Sequence, residues 1–314
     1  MAKPKIYIDG KEGTTGLQIY DRLAKREDIE LLLIDEAKRK DTEERRKLIH
    51  AADIVFLCLP DAAAVEAVAL AEGSGARIID ASTAHRTAKG WAYGMAELSK
   101  EHREAIKTSN RVANPGCHAT GFITSVYPLV AQGIIPKDYP MTVFSLTGYS
   151  GGGKKMIGEY ESDCRDALMD APRMYGLSQQ HTHLPEITAL NGLECAPIFC
   201  PIVSDFYCGM ETIIPLFGSD IHGTMEDIRN AYREFYTGPL VYYKEDADEN
   251  GFVSANTMSG RDDMELSLYG NSERLLLVAR FDNLGKGASG SAIQNLNLMM
   301  GAPETTGLVL GGER

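Results

Sequence analysis

Cys117 stands directly behind a Pro-Gly turn in Asn114-Pro115-Gly116-Cys117-His118-Ala119-Thr120-Gly121. Directly after it comes a run with helical character, Ala119 to Val130. A thiol at a helix N-terminus meets unpaired backbone N–H groups and the positive end of the macrodipole. Both favour the thiolate, which is the nucleophilic form. The same N–H groups can hold an oxyanion on an attacked carbonyl. The competing reading is an inert cysteine in a core helix, because free cysteine is among the most buried residue types.

A thiolate nucleophile gains from an imidazole that holds its proton and later returns one. Of the seven histidines, the pair in His181-Thr182-His183-Leu184-Pro185-Glu186 is the best candidate. In an extended segment His181 and His183 face the same side. His183 is preferred as the acid–base, with His181 as the alternative. His118 adjoins Cys117 but is expected to point away around the helix. His50, His85, His102 and His222 have surface-like neighbours.

Three further segments suit anions and nucleotides. Gly10-Lys11-Glu12-Gly13-Thr14-Thr15-Gly16 joins an expected strand to an expected helix. Its glycines let the backbone turn tightly and approach a pyrophosphate, with Thr14 and Thr15 at the helix start. Asp35, after the next strand, is placed to hold the adenosine ribose and favours NAD. Lys38, Arg39 and Lys40 follow at once and are placed to cover a 2′-phosphate, which favours NADP. The segment Gly148-Tyr149-Ser150-Gly151-Gly152-Gly153-Lys154-Lys155 can wrap an anion with N–H groups and ammonium groups. A plain surface turn would read the same way. Arg86, just after the fourth strand with Ser82, is another anion candidate, since open sheets bind ligands at the carboxyl ends of their strands. Asp282-Asn283-Leu284-Gly285-Lys286-Gly287-Ala288-Ser289-Gly290 is a turn whose small residues permit close backbone approach.

The elements expected to position these groups change in texture along the chain. Lys5-Ile6-Tyr7-Ile8, Glu30 to Ile34, Ile54 to Leu59 (stopped by Pro60) and Arg77 to Asp80 read as strands. Helical stretches separate them: Gly16 to Arg26, with Leu17, Tyr20, Leu23 and Ala24 on one stripe, then Asp41 to Ala51 and Ala62 to Ala71. That alternation predicts a doubly wound, Rossmann-type parallel sheet. After Gly121 strands dominate, at Met141 to Thr147, Ala196 to Val203, Met210 to Leu216, Glu265 to Tyr269 and Leu275 to Phe281. One helix, Met225 to Tyr236, lies among them, and Ala288 to Met300 forms a last one. This predicts an α+β domain with a mixed sheet. Tyr149 to Gly153 and Asp170 to His183 are expected as long functional loops.

The chain has 314 residues, which favours two domains over one core. A net charge of −12 argues against nucleic acid and anionic membrane as partners. No apolar run reaches the length of a membrane span. No signal peptide is visible, and the six cysteines lack C-x-x-C spacing. The expectation is a cytoplasmic protein with reduced thiols and no metal.

Together these motifs resemble N-acetyl-γ-glutamyl-phosphate reductase in its shorter form, over nearly the whole chain. The resemblance rests on the glycine loop at Gly10, on Asn114-Pro115-Gly116-Cys117, on the Gly148 to Lys155 loop, on His181-x-His183-x-Pro185-Glu186 and on Asn283-x-x-Lys286-Gly287-Ala288. The wider superfamily holds aspartate-semialdehyde dehydrogenase and glyceraldehyde-3-phosphate dehydrogenase. The resemblance implies NADPH-dependent reduction of an acyl phosphate through a cysteine thioester, in arginine biosynthesis, by a homo-oligomer (dimer or tetramer). Cys117, His183 and His181 are then the expected catalytic residues. Gly10, Gly13, Thr14, Thr15, Gly16, Asp35, Arg39, Pro60, Ser82, Asn283 and Lys286 are expected at the cofactor. Arg86, Asn114, Ser150, Gly151 and Lys154 are expected at the substrate. The expected partition is 1–115 with 286–314 for the dinucleotide, and 116–285 for catalysis and oligomerisation. An aspartate-semialdehyde dehydrogenase-like acyl-phosphate reductase and a non-enzymatic nicotinamide-sensing regulator are the alternatives.

Overall fold

A computed structural model describes residues 2–311. They form two compact units, residues up to Pro115 with Ala288–Leu308, and Gly116–Gly287 with the chain from Val309.

The first unit runs β1 (Lys5–Asp9), α1 (Thr14–Leu23), β2 (Glu30–Leu32), α2 (Thr42–Ala51), β3 (Ile54–Leu57), α3 (Asp61–Leu70), β4 (Arg77–Asp80), β5 (Ala92–Tyr93), α4 (Lys100–Thr108) and β6 (Arg111–Ala113). All six strands are parallel, in the order β2-β1-β3-β4-β6-β5. Every residue of β3 is buried, as a central strand covered on both faces requires. Alternate residues of the strands feed two cores. Ile6, Ile8, Ile54, Phe56 and Ile79 pack with Ile19, Leu23 and Ile106 on one side. Tyr7, Val55, Leu57 and Ile78 pack with Ile49, Ala64 and Ala67 on the other. This is the doubly wound arrangement the alternating pattern demands. On α1 the buried residues are Ile19 and Leu23, while Leu17 is exposed, so the stripe is rotated from the expected one. The Asp41 carboxylate caps α2, accepting from the Glu43 and Glu44 N–H groups, and the Ser99 hydroxyl caps α4.

The second unit opens with α5 (Cys117–Ala131) and continues β7 (Thr142–Gly148), α6 (Gly153–Tyr160), β8 (Arg173–Met174), α7 (Leu184–Asn191), β9 (Ile198–Ser204), β10 (Met210–Phe217), α8 (Met225–Phe235), β11 (Val241–Tyr243), β12 (Met264–Gly270) and β13 (Arg274–Phe281). Its seven-stranded sheet is mixed, in the order β11-β12-β13-β10-β7-β9-β8. α5 packs against β10 and β13 and is buried along most of its length. Gly121 makes this possible: a Cβ there would stand 2.2 Å from Thr212 Oγ1, so only glycine lets the helix lie so close to the sheet.

A π-helical turn at Gly285–Ser289 then leads into α9 (Gly290–Met300), which belongs to the first unit and packs on α4 and α1. The chain beyond it departs from the expected partition. Val309 N donates to the Asp262 carboxylate and Asp262 N to the Val309 carbonyl, so the tail from Val309 belongs to the second unit. Residues 1 and 312–314 of that partition lie outside the described residues.

One buried group in this sheet gives a pH prediction. Register places Arg280 opposite both Glu211 and Glu265. The Arg280 guanidinium donates to Glu265 Oε1 at 2.7 Å and to Glu249 Oε1 at 2.5 Å. Burial pushes the Glu211 carboxyl up to about 7, which Arg280 offsets only in part and Glu249 reinforces. The folded state therefore holds this proton more tightly than the unfolded chain. Its stabilising effect is complete below the ordinary carboxylate range and is lost as pH rises towards about 7. Glu211→Gln should therefore be more stable than the parent at pH 8, by about 2–3 kcal/mol, and not at acid pH. Urea unfolding of both proteins across pH checks this; parallel pH curves would refute it.

Candidate active site

Cys117 is the first residue of α5, and Gly116 before it is extended, with φ −79 and ψ 149. The thiol therefore stands where the helix presents its unpaired N–H groups. Gly116 N donates to Glu186 Oε2 at 3.3 Å, and Glu186 is 1% exposed. A Cβ at Gly287 would stand 3.0 Å from Cys117 Cβ, so a larger residue there would crowd the cysteine.

His181 and His183 come together, though not through an extended segment. His183 is helical, with φ −80 and ψ −18, at the N-cap of α7. The two rings stack, with centroids 4.8 Å apart, and their Nδ1 atoms share a hydrogen bond at 3.1 Å. One of these nitrogens must carry a proton and the other accept it. His183 Nε2 lies 3.9 Å from Glu186 Oε1. Glu186 thus touches both the turn before the thiol and the preferred imidazole.

His118 does not point away from this group, as the helical position suggested. Its ring meets those of His183 and His181 edge-on, at 5.3 and 5.9 Å. Nδ1 is 2.7 Å from Ser145 Oγ and Nε2 is 2.6 Å from the Tyr175 hydroxyl. Burial, with a smaller contribution from His181, pushes its pKa down to about 3, so the ring is neutral. Burial also raises the Tyr175 phenol, and the Cys117 charge adds to the shift. Beside the histidine pair stand His118, which was expected to point away, Glu186, which was noted only as part of the histidine motif, and Tyr175, which the motifs did not include. The same-face rule applied to α5 alone missed the first, because the neighbours of His118 come from β7 and the segment after β8.

The Gly148–Lys155 loop is more ordered than expected. It makes a 3-10 turn, Tyr149–Gly152, followed by α6. Asn283 Nδ2 donates to Ser150 Oγ at 3.1 Å, and Asn283 Oδ1 accepts from Gly209 N at 2.9 Å. A Cβ at Gly151 would stand 3.5 Å from Asn283 Nδ2. Ser150, Gly151 and Asn283 are thus brought together. Lys154 is exposed at the start of α6, and Lys286 is buried in the π-helical turn.

In the first unit Gly10, Gly13 and Gly16 form a tight turn between β1 and α1. A Cβ at Gly10 would stand 2.3 Å from the Cys58 carbonyl oxygen, and one at Gly16 would stand 2.4 Å from the Gly10 carbonyl oxygen. Gly13 caps α1, and the Thr14 hydroxyl is buried without a hydrogen-bond partner among the described residues. A cleft of about 420 Å³ opens beside this turn. Gly10, Lys11, Leu59, Arg39 and Lys40 line it. A helix end ready for an anion, an unsatisfied hydroxyl and the cations Lys11, Arg39 and Lys40 fit a dinucleotide with a 2′-phosphate.

Asp35 does not serve that cleft as expected. β2 ends at Leu32, and the Asp35 carboxylate caps a 3-10 turn by accepting from Ala37 N at 3.0 Å. Pro60 is the N-cap of α3, next to the cleft residue Leu59. The Ser82 hydroxyl donates to the buried Asp80 carboxylate at 2.7 Å. His85, expected at the surface, is buried there: Nδ1 is 2.6 Å from Asp80 Oδ2, and its ring stacks on Trp91.

Residues 117–283 match the family described as semialdehyde dehydrogenase, dimerisation domain, and residues 32–108 match semialdehyde dehydrogenase, NAD binding domain. An N-acetyl-gamma-glutamyl-phosphate reductase 2 from a Nostoc species is 46% identical over 98% of this chain and 100% of its own length. The chain belongs to the N-acetyl-gamma-glutamyl-phosphate reductases. A family member from Rhizobium meliloti is likewise 46% identical, over 96% of the chain and all of its own length. Aspartate semialdehyde dehydrogenase II from Vibrio cholerae shares the fold, with a TM-score of 0.72 at 14% identity, over 96% of this chain and 99% of that one. Aspartate semialdehyde dehydrogenase with NADP from Candida albicans shares it with a TM-score of 0.64 at 13% identity, over 95% of this chain and 99% of that one.

Within this family frame, two of the expected substrate residues have internal partners. Asn114 is 1% exposed; its Nδ2 donates to the Ala288 carbonyl and its Oδ1 accepts from Asn295. It ties the end of β6 to the start of the last helix. Arg86 donates through Nε to the Asn114 carbonyl and through Nη2 to the Ala81 carbonyl, which fixes the loop after β4. Among the described residues no group of three or more His, Cys, Asp and Glu is placed to hold a metal, and no helix is long and apolar enough to cross a membrane.

Proposed function

We propose that this chain reduces N-acetyl-glutamyl 5-phosphate to N-acetyl-glutamate 5-semialdehyde, releasing phosphate, in the arginine pathway of the cytoplasm, with Cys117 as nucleophile. The observation that carries the reading is Glu186, which accepts from Gly116 N just ahead of Cys117 at the start of α5 and lies 3.9 Å from His183 of the stacked imidazole pair. His183 takes the thiol proton. The thiolate attacks the acyl carbon, the carbon–oxygen bond to phosphate breaks, and a thioester remains on Cys117. The N–H groups of the α5 N-terminus hold the oxyanion. Ser150, Gly151 and Lys154 supply polar and cationic surroundings of the kind an acyl phosphate needs. NADPH, when bound, supplies the hydride that reduces the thioester carbon. The carbonyl then re-forms as the carbon–sulfur bond breaks, and the departing sulfur recovers the proton kept on His183. An assay of acyl-phosphate reduction with NADPH and with NADH tests the reading; no turnover with either would end it.

Gly10, Thr14, Gly16 and Arg39 would hold the dinucleotide, with Lys40 beside the ribose. Asp35 is turned to Ala37, so its carboxylate offers little repulsion to a 2′-phosphate. Arg39 pairs with Glu36 in an exposed contact at 2.8 Å, which a phosphate can displace. Arg39→Ala is expected to raise the Michaelis constant for NADPH about tenfold and to leave that for NADH nearly unchanged, because a charge-assisted contact to phosphate is lost. Equal effects on both cofactors would remove Arg39 from the phosphate site.

The second unit also presents an apolar sheet face. Register puts Phe144, Ile198, Met174, Leu276 and Phe217 on one side of the sheet, exposed by 37, 59, 47, 40 and 59%. The dimerisation description of the matched family supports a homodimer, or a tetramer built from it, through this face. Ile198→Asp should then sediment as a smaller species than the parent; an unchanged sedimentation coefficient would exclude the face.

A further inference from the structure

We infer that His118 and Tyr175 act as one hydrogen-bonded positioning unit, which fixes the segment carrying His181 and His183 against the helix that carries Cys117. The inference rests on the catalytic reading above and adds two positioning residues to it.

His118 is the residue after the nucleophile, on α5, and is 3% exposed. Tyr175 directly follows β8 and begins the stretch that leads to His181. Their contact, at 2.6 Å, therefore joins the two segments that must stay in register for proton transfer. Its other ring nitrogen reaches Ser145 Oγ at 2.7 Å, and Ser145 Oγ lies 3.3 Å from Thr212 Oγ1. A polar line thus runs from the sheet strands β7 and β10, through His118, to Tyr175.

A neutral imidazole has one donor and one acceptor. Either tautomer satisfies the line: the Tyr175 hydroxyl donates to Nε2 while Nδ1–H donates to Ser145 Oγ, or both bonds run the other way. The rings that face His118 are Tyr175, His181, His183 and Phe199, with Cys117 next in sequence and Glu186 beyond His183. Of these, His181 and His183 have shared protons to arrange, and both rest edge-on against His118. A ring pinned at both nitrogens cannot turn, so it holds those edges in place. A buried phenylalanine or leucine would fill the volume but would not fix the angle.

The test uses the full chain with Tyr175→Phe, His118→Leu, the double variant and His118→Gln. Steady-state kinetics, iodoacetamide alkylation of Cys117 and melting are measured for each. Each single change should lower kcat about tenfold, with the Michaelis constant for the acyl phosphate nearly unchanged, as expected for loss of one buried hydrogen bond. The double variant should fall no further than the worse single one, because both remove the same interaction. His118→Gln, whose amide can accept from or donate to the Tyr175 hydroxyl, should recover most of the loss seen in His118→Leu. It should recover nothing when Tyr175 is also phenylalanine. Losses that multiply in the double variant would overturn the inference, as would parental kcat in Tyr175→Phe. An activity loss that merely follows loss of folded protein on melting would assign the pair to stability and overturn it too. If the parent enzyme itself fails to reduce acyl phosphates, the catalytic reading falls. Alkylation still judges the pair in that case: slower labelling of Cys117 in Tyr175→Phe supports it, and equal labelling refutes it.

Discussion

Cys117→Ser should lower turnover at least about a thousandfold while leaving NADPH binding nearly intact. Serine keeps the shape, but its hydroxyl does not ionise at a helix N-terminus as a thiol does. The histidine pair holds a proton; it does not supply the missing nucleophile. Cofactor binding should survive because the glycine turn and its cleft are built from the first unit alone. The other cysteines set the control. Burial, then Asp80 and Asp9, pushes the Cys58 thiol up to about 12, and burial, then Asp282, pushes Cys208 to about 11. Neither is a thiolate near neutral pH. Cys164 and Cys195 are exposed and Cys200 is half-buried, so each should tolerate serine with activity retained. Single-turnover rates and a cofactor titration on the Cys117→Ser enzyme check both halves. Appreciable turnover by that enzyme, or loss of turnover in the Cys200→Ser enzyme, would move the nucleophile elsewhere.

What the sequence disclosed follows from what is local. The parallel sheet was legible because Ile54-Val55-Phe56-Leu57 is a buried run, and because strand and helix alternate at a short pitch. Cys117 was legible because Pro-Gly before an apolar run marks a helix start. The glycine turn was legible because a Cβ at Gly10 or Gly16 would strike backbone oxygen. Asp35 misled because its direction depends on a 3-10 turn in which its own carboxylate finds Ala37 N. His118 misled for the opposite reason. Its orientation is set by Ser145 and Tyr175, which the chain brings from distant positions. His85 was misplaced because its partner, Asp80, is a buried strand residue that a reading of surface-like neighbours does not weigh. The helices α4, α6 and α7 were unforeseen because each spans only eight or nine residues, too few to show a clear apolar repeat.

The assignment of the acid–base role decides the second large effect. Stacked rings make His181 and His183 hard to tell apart by sequence, but their carboxylate environment differs. His183 Nε2 lies 3.9 Å from Glu186 Oε1, a carboxylate 1% exposed. If His183 receives the thiol proton, the imidazolium forms opposite the buried Glu186 carboxyl, whose ionised form stabilises it more than a surface partner would. Its Nδ1 faces His181 Nδ1 at 3.1 Å, so in the proposed mechanism His181 orients the ring that takes the proton. His183→Asn should therefore lower kcat about a hundred- to a thousandfold, the usual reach of a positioned acid–base. His181→Asn should cost about tenfold, as loss of an orienting hydrogen bond does. The two are separated by their rate of Cys117 alkylation in the free enzyme. Loss of the base slows it strongly, whereas loss of the orienting ring slows it little. If His181→Asn proves the more damaging change in both kcat and alkylation, the roles exchange and the Glu186 contact is structural.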